Sequence, residues 1–325
     1  MPQIRNHYMK HLRKLSLFFP LVMVFLALLS CRKFEGDQTI PAYIKIDFLT
    51  LETDYSVEGT SSAKIETVWI YVDGNLEGIY ELPVMAPILA RDMKEVIIQA
   101  GINLNGIAST RAPYPFYESV IQDVRFLENK VVNINGGYVV TGDDSTKLKS
   151  KTRYQDNCVF VWMEDFEDPS VGLDSLPPSQ VDIQRTKPAN YPEAYLSSNS
   201  SYSGYIELTE DKPYFRIATN VGNEDGFELP QANNWPIFLE LNYKCNQAFT
   251  IGVFANEISQ IIENPLIGIN PSEEWNKIYI NLKPIVNYSV NAIDFNIVMD
   301  GYLGEGLTKG EIYLDNIKLI YRSGQ

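Results

Sequence analysis

Very few residues in this chain can do covalent chemistry. Both histidines, His7 and His11, fall within the first eleven residues. If that stretch is a removable leader, the remaining chain has no imidazole. A Ser-His-Asp triad, a Cys-His pair and any zinc site built on histidine are then excluded. Acidic residues are abundant, and a carboxylate pair could act on a glycosidic bond. That requires two acids ~5–9 Å apart, one of them with a raised pKa. Glu224-Asp225 and Glu273-Glu274 are the adjacent acid pairs in loops, and neighbours on exposed turns read as solvated charge. No glycine-rich phosphate loop follows a strand. These residues point to a protein that binds and does not catalyse. Aromatic side chains with polar neighbours are what such a protein needs.

The leader reading comes from the first thirty residues. Arg5, Lys10, Arg13 and Lys14 precede an apolar run from Leu17 to Leu29 that Pro20 interrupts. A basic start and a short apolar core make a secretory signal, and the run is too short to span a ~30 Å bilayer. Its end, Leu28-Leu29-Ser30-Cys31, resembles the lipobox of bacterial lipoproteins. The resemblance implies cleavage before Cys31 and a diacylglycerol on its sulfur. Arg32, and not Asp, follows. By resemblance to enteric lipoprotein sorting this favours the outer membrane, on its periplasmic or its cell-surface face, as in Bacteroidetes-type lipoproteins. Removing the four basic residues of the leader leaves 23 Lys and Arg against 41 Asp and Glu, a formal charge of roughly −18. Such a domain repels phosphate backbones, so nucleic acid is a poor partner. Cys158 and Cys245 remain. They form one disulfide in an oxidising envelope, or serve as two buried thiols.

After a tether over 31–41, short alternating runs rich in β-branched and aromatic residues recur, with turn residues between them. The expected fold class is all-β, with two β-sandwich domains after the signal peptide. The first covers 42–141, a solvated linker 142–157, and a jelly roll 158–322. In the first, Thr67–Val72 and Leu76–Tyr80 flank Asp73-Gly74, a strong hairpin signal. This hairpin, with Leu82-Pro83 after it, resembles Ig-like sandwiches of the surface-layer and carboxypeptidase-regulatory-like type. Thr110–Tyr117, rich in proline and aromatics, reads as a loop plugging the sandwich end.

In the second domain, alternation sets Leu239, Leu241 and Tyr243 against Glu240, Asn242 and Lys244, and Ile278 and Ile280 against Lys277 and Tyr279. Tyr214 shares a face with Arg216. Trp235 lies in the loop Asn233–Pro236. The expected ligand-binding set is therefore Tyr214, Arg216, Trp235, Glu240, Asn242 and Tyr279, with rings to stack on a sugar and polar groups to bond its hydroxyls. Along the last strand, parity puts Asp315 on the face of Ile317 and Leu319, and a buried carboxylate needs a partner.

Asp165-Phe166-Glu167, Ser203-Gly204 through Leu208, Trp275 and Leu314-Asp315-Asn316-Ile317-Lys318-Leu319 follow in the order of galactose-binding-like jelly rolls. The chain over 158–322 resembles that fold, which many carbohydrate-binding modules share. The resemblance implies a structural Ca2+ as cofactor, held by Glu164, Glu167 and Asp315, since carboxylates suit calcium. The implied function is a lipid-anchored envelope protein that binds glycan or another macromolecule through its jelly roll. The alternative is an accessory subunit of an outer-membrane protein assembly.

Overall fold

In the computed structural model the described residues are 40–141, 144–194, 200–219, 226–231 and 234–324. Cys31, the expected signal and most of the tether lie outside them, as does Glu224-Asp225. No helix among the described residues is long and apolar enough to cross a membrane. The chain is all-β, and its strands form two sandwiches.

The first sandwich packs a sheet of Asn75–Glu81, Thr67–Val72, Asp92–Asn103, Arg111–Pro113 and Val120–Phe126 against a sheet of Val84–Ile88, Ala42–Ile46 and Val131–Asn133. Alternation drives this. Ala42, Ile44 and Ile46 are buried at every second position of their strand, and Val96, Ile98, Ala100 and Ile102 at every second position of theirs. The Asp73-Gly74 hairpin forms as its sequence dictates, with both residues at positive φ, 47° and 77°.

The described residues of 142–157, expected as a solvated linker, are built into this sandwich. Tyr138–Thr141 and Asp144–Lys147 pair as a hairpin, and Lys151–Thr152 runs parallel to Thr50–Leu51. Leu148 and Tyr154 are buried. Lys147, Lys149 and Lys151, which suggested solvent, occupy exposed positions of this stretch.

The second sandwich is the jelly roll. One sheet runs Gln184–Thr186, Ser203–Thr209, Lys309–Arg322, Ile237–Cys245 and Ser272–Asn281, with Cys158–Glu164 beside the second half of Lys309–Arg322. The other runs Leu173–Ser175, Tyr214–Thr219, Asp294–Tyr302, Phe249–Asn256 and Ile261–Ile269. Leu239, Leu241, Ile278, Ile280, Phe215, Ile217, Ile251 and Ile297 fill the core between them.

The two sandwiches share a seam. Phe238, Tyr279 and Ile320 point out of the jelly roll and belong to the core cluster of the first sandwich. Burying side chains of this size stabilises by about 1.5–3 kcal/mol each. Tyr114, Phe116 and Tyr117 meet them, with ring centroids 5.4 Å apart for Tyr114–Phe238 and 4.8 Å for Tyr114–Tyr279. The aromatic segment expected to plug the first sandwich therefore plugs the junction. Cys158 and Cys245 are free thiols.

Candidate functional site

The jelly roll presents two outer faces, and they differ in what covers them. The face carrying Glu240, Asn242 and Tyr279 lies under the first sandwich. Glu240 is fully buried. Its carboxylate accepts from Tyr114 Oη at 2.7 Å and Tyr154 Oη at 3.0 Å, and Lys277 Nζ stands 2.9 Å away. Burial works against this charge, but Lys277, Lys318 and the Tyr114 hydroxyl outweigh it and hold the pKa below the usual carboxylate value. Asn242 Oδ1 accepts from Ser62 Oγ at 2.8 Å, and Tyr279 Oη from the Lys64 amide at 2.8 Å. Lys318 donates to the Thr60 carbonyl at 2.7 Å, and burial pushes its pKa down to about 7. Alternation placed these residues on the right side of the sheet. It could not show that a second sandwich occupies that side. Glu240, Asn242 and Tyr279 are thus corrected from ligand contacts to seam residues.

The far end of the same face is also covered. Tyr205 and Tyr313 stack at 4.8 Å, Tyr191 lies over Tyr205 at 4.3 Å, and Trp275 Nε1 donates to the Glu193 carbonyl at 2.8 Å. The loop carrying Tyr191 and Glu193 straps these rings down.

The first sandwich does not cover the outer face of the other sheet, but Leu176 buries its middle, where Ala218, Phe254 and Val298 cluster, and the exposed part lies toward Tyr302. Phe215 and Ile217 face the core, which turns Tyr214 and Arg216 outward. Tyr214 pairs with Tyr302, and Arg216 with Asp300, across adjacent strands. The Tyr214 and Tyr302 rings lie 4.4 Å apart at 33°. Tyr214 is itself only 8% exposed because Tyr302 covers it, and Tyr302 is 68% exposed. Arg216 makes an ion pair with Glu263 and lies over Phe254 at 5.4 Å. Burial raises the Asp300 pKa against the pull of Arg216. Beyond the buried Ala218, Phe254 and Val298, Asn256 Nδ2 donates to Asn296 Oδ1 at 2.6 Å. One ring with a free side next to a charged pair suits the amphipathic surface of a sugar chain. Tyr302 escaped the sequence reading. Its signal was the alternation Phe295, Ile297, Met299 inward and Asn296, Asp300, Tyr302 outward.

Trp235 does not join this face. It stacks on Tyr321 at 6.2 Å and 6°, and its indole contacts the Gly324 backbone region at the end of the last strand. It is a half-buried packing residue.

The expected calcium carboxylates serve backbone amides. Glu164 accepts from Phe166 N at 2.7 Å and Gly172 N at 2.5 Å. Glu167 accepts from Tyr202 N at 2.8 Å. Asp315 accepts from Ser200 Oγ at 2.9 Å and Asn316 N at 2.6 Å. Burial raises the Asp315 pKa well above the carboxylate norm. No group of three or more metal-ligating side chains occurs among the described residues. The Phe166 and Glu167 carbonyls, further oxygens at this site, are both taken by the Arg185 guanidinium. Nor does Asp315 share the face of Ile317 and Leu319. Asn316 has φ +48°, and the register against Glu240 and Asn242 shifts there. This bulge reverses the parity, so Ile312, Leu314, Ile317 and Leu319 all reach the core while Asp315 turns away.

No protein-family profile matches the chain, and no curated protein matches it. Solved structures do resemble it in part. A CBM22-2 xylan-binding domain from Paenibacillus barcinonensis is 12% identical, with a TM-score of 0.33 over 50% of this chain and 99% of that one. A family 11 carbohydrate-binding module from Clostridium thermocellum, in complex with a beta-1,3-1,4-mixed-linked tetrasaccharide, is 15% identical, with a TM-score of 0.30 over 48% and 93%. A non-crystalline cellulose specific module of family 28 is 15% identical, with a TM-score of 0.32 over 48% and 91%.

Proposed function

We propose that this chain is a non-catalytic glycan-binding protein of the bacterial envelope, lipid-anchored at Cys31 to the outer membrane, and that the jelly-roll face around Tyr302 carries the ligand. The observation that carries the reading is the exposed Tyr302 ring, backed by Tyr214 and flanked by Arg216, Asp300 and Glu263 on the sheet face that the first sandwich does not cover. Tyr214 stiffens the platform from below and so limits the ordering cost of binding. The acidic surface opposes anionic lipid, which leaves the acyl chains on Cys31 to hold the protein at the membrane.

A glycan array probed with the soluble chain from residue 32 tests the binding. A hit among neutral plant or microbial polysaccharides is expected. Tyr302→Ala should weaken it at least tenfold, about 1.4 kcal/mol. Undiminished binding by that variant would move the site off this face. Incorporation of labelled palmitate into wild type, with none in Cys31→Ser, checks the anchor.

A further inference from the structure

A second address exists where the two sandwiches meet. Beside the buried seam lies a cleft of about 270 Å3, walled by the first sandwich on one side and by the jelly roll on the other. A polar circuit crosses it. Tyr243 Oη accepts from Asn276 Nδ2 at 2.9 Å, and Lys64 Nζ donates to Asn276 Oδ1 at 2.9 Å. Lys64 also stands 3.3 Å from Glu66, whose carboxylate takes the Asn103 amide N–H. The circuit ends on Asn103 Oδ1, a buried acceptor with no donor among the described residues. An acceptor left so costs about 1–3 kcal/mol unless a ligand or water supplies the hydrogen. Ile107, Ile267 and Ile278 supply apolar wall between these groups.

The charges in the cleft are internally matched. Lys64 pairs with Glu66, and Lys277 with Glu240. An ionic ligand would therefore meet no unbalanced partner. Amide and hydroxyl groups alternating with aliphatic wall match the hydroxyl rim and C–H face of a pyranose. The volume falls just below the ~300–1,000 Å3 of pockets for drug-sized ligands, which limits the occupant to one or two rings.

We propose that this cleft binds a neutral sugar of one or two rings, gripped by both sandwiches at once. The proposal rests on the carbohydrate class assigned above but places it at a separate site. Occupancy there would tie the sandwiches together.

The test uses the full chain in detergent with saturation-transfer NMR and calorimetric titration. The probes are glucose, galactose, mannose, xylose, cellobiose and lactose. At least one is expected to bind, with Tyr302→Ala unchanged and Asn103→Leu weakened at least tenfold. Ile107→Trp, which adds bulk at an exposed residue bordering the cleft, should also abolish binding and serves if Asn103→Leu fails to fold. Short sugars lost in Tyr302→Ala but retained in both cleft variants would overturn the cleft and leave the sheet-face reading intact. So would binding of polysaccharide on the array with none of the six probes bound. Short sugars lost in the cleft variants alone, with no polysaccharide bound, would support the cleft and sink the sheet face.

Discussion

Glu240 shows how a side chain can be placed correctly and still misread. Its outward parity was legible because Leu239 and Leu241 flank it. What lies outward was not, since the covering groups, Tyr114 and Tyr154, are 126 and 86 residues away in sequence. The structure pairs it with the buried Lys277 at 2.9 Å, and its charge also acts on Lys318. Glu240→Gln keeps the shape and the Tyr114 hydrogen bond but removes the charge. Leaving buried ions without their partner costs about 3–5 kcal/mol. Urea unfolding should show that loss. A loss under ~1 kcal/mol would mean that the seam is held by its aromatic packing alone. Tyr302 is the opposite case. Its exposure follows from its own strand, and only its position beyond the most apolar part of that strand hid it.

At the scale of elements, alternation located most strands and failed where the backbone departs from it. Ile261–Ile269 is a strand at the free edge of the sheet that carries Tyr302, but Pro265 and Gly268 break its pattern, as edge strands tolerate. The last strand failed differently. Its composition reads as one continuous run, yet the left-handed Asn316 changes its phase, so that both of its halves feed the core. Asn is among the few non-glycine residues that adopt this conformation readily, and Thr60 Oγ1 holds its side-chain oxygen. A β-branched residue there loses both advantages. Asn316→Val should cost about 2 kcal/mol or more by urea unfolding. Asn316→Gly should cost less, because only the hydrogen bond goes. Equal losses for the two would show that backbone conformation is not what fixes the phase.

For the whole molecule, the seam makes stability depend on groups that titrate. Lys318 is buried at the junction, with its pKa near 7 against ~10.4 in an unfolded chain. Between those values the unfolded state binds more protons, so this lysine makes stability rise with pH, and below about pH 7 its contribution is flat. Buried thiols act the other way. Burial pushes Cys158 up to about 12, above an unfolded value of ~8.5, so its contribution is present below that pH and lost as pH rises. A single pH profile mixes the two. Comparing wild type with Lys318→Met isolates the lysine, because the cysteine contribution is common to both. Urea unfolding at pH 7, 8 and 9 should show wild type gaining on the variant by up to ~1.4 kcal/mol per pH unit. A difference that stays constant across that range would mean that Lys318 keeps its proton in the folded seam, held by Glu240 as a permanent ion. The seam would then weaken only in acid, as the pH falls through the lowered pKa of Glu240.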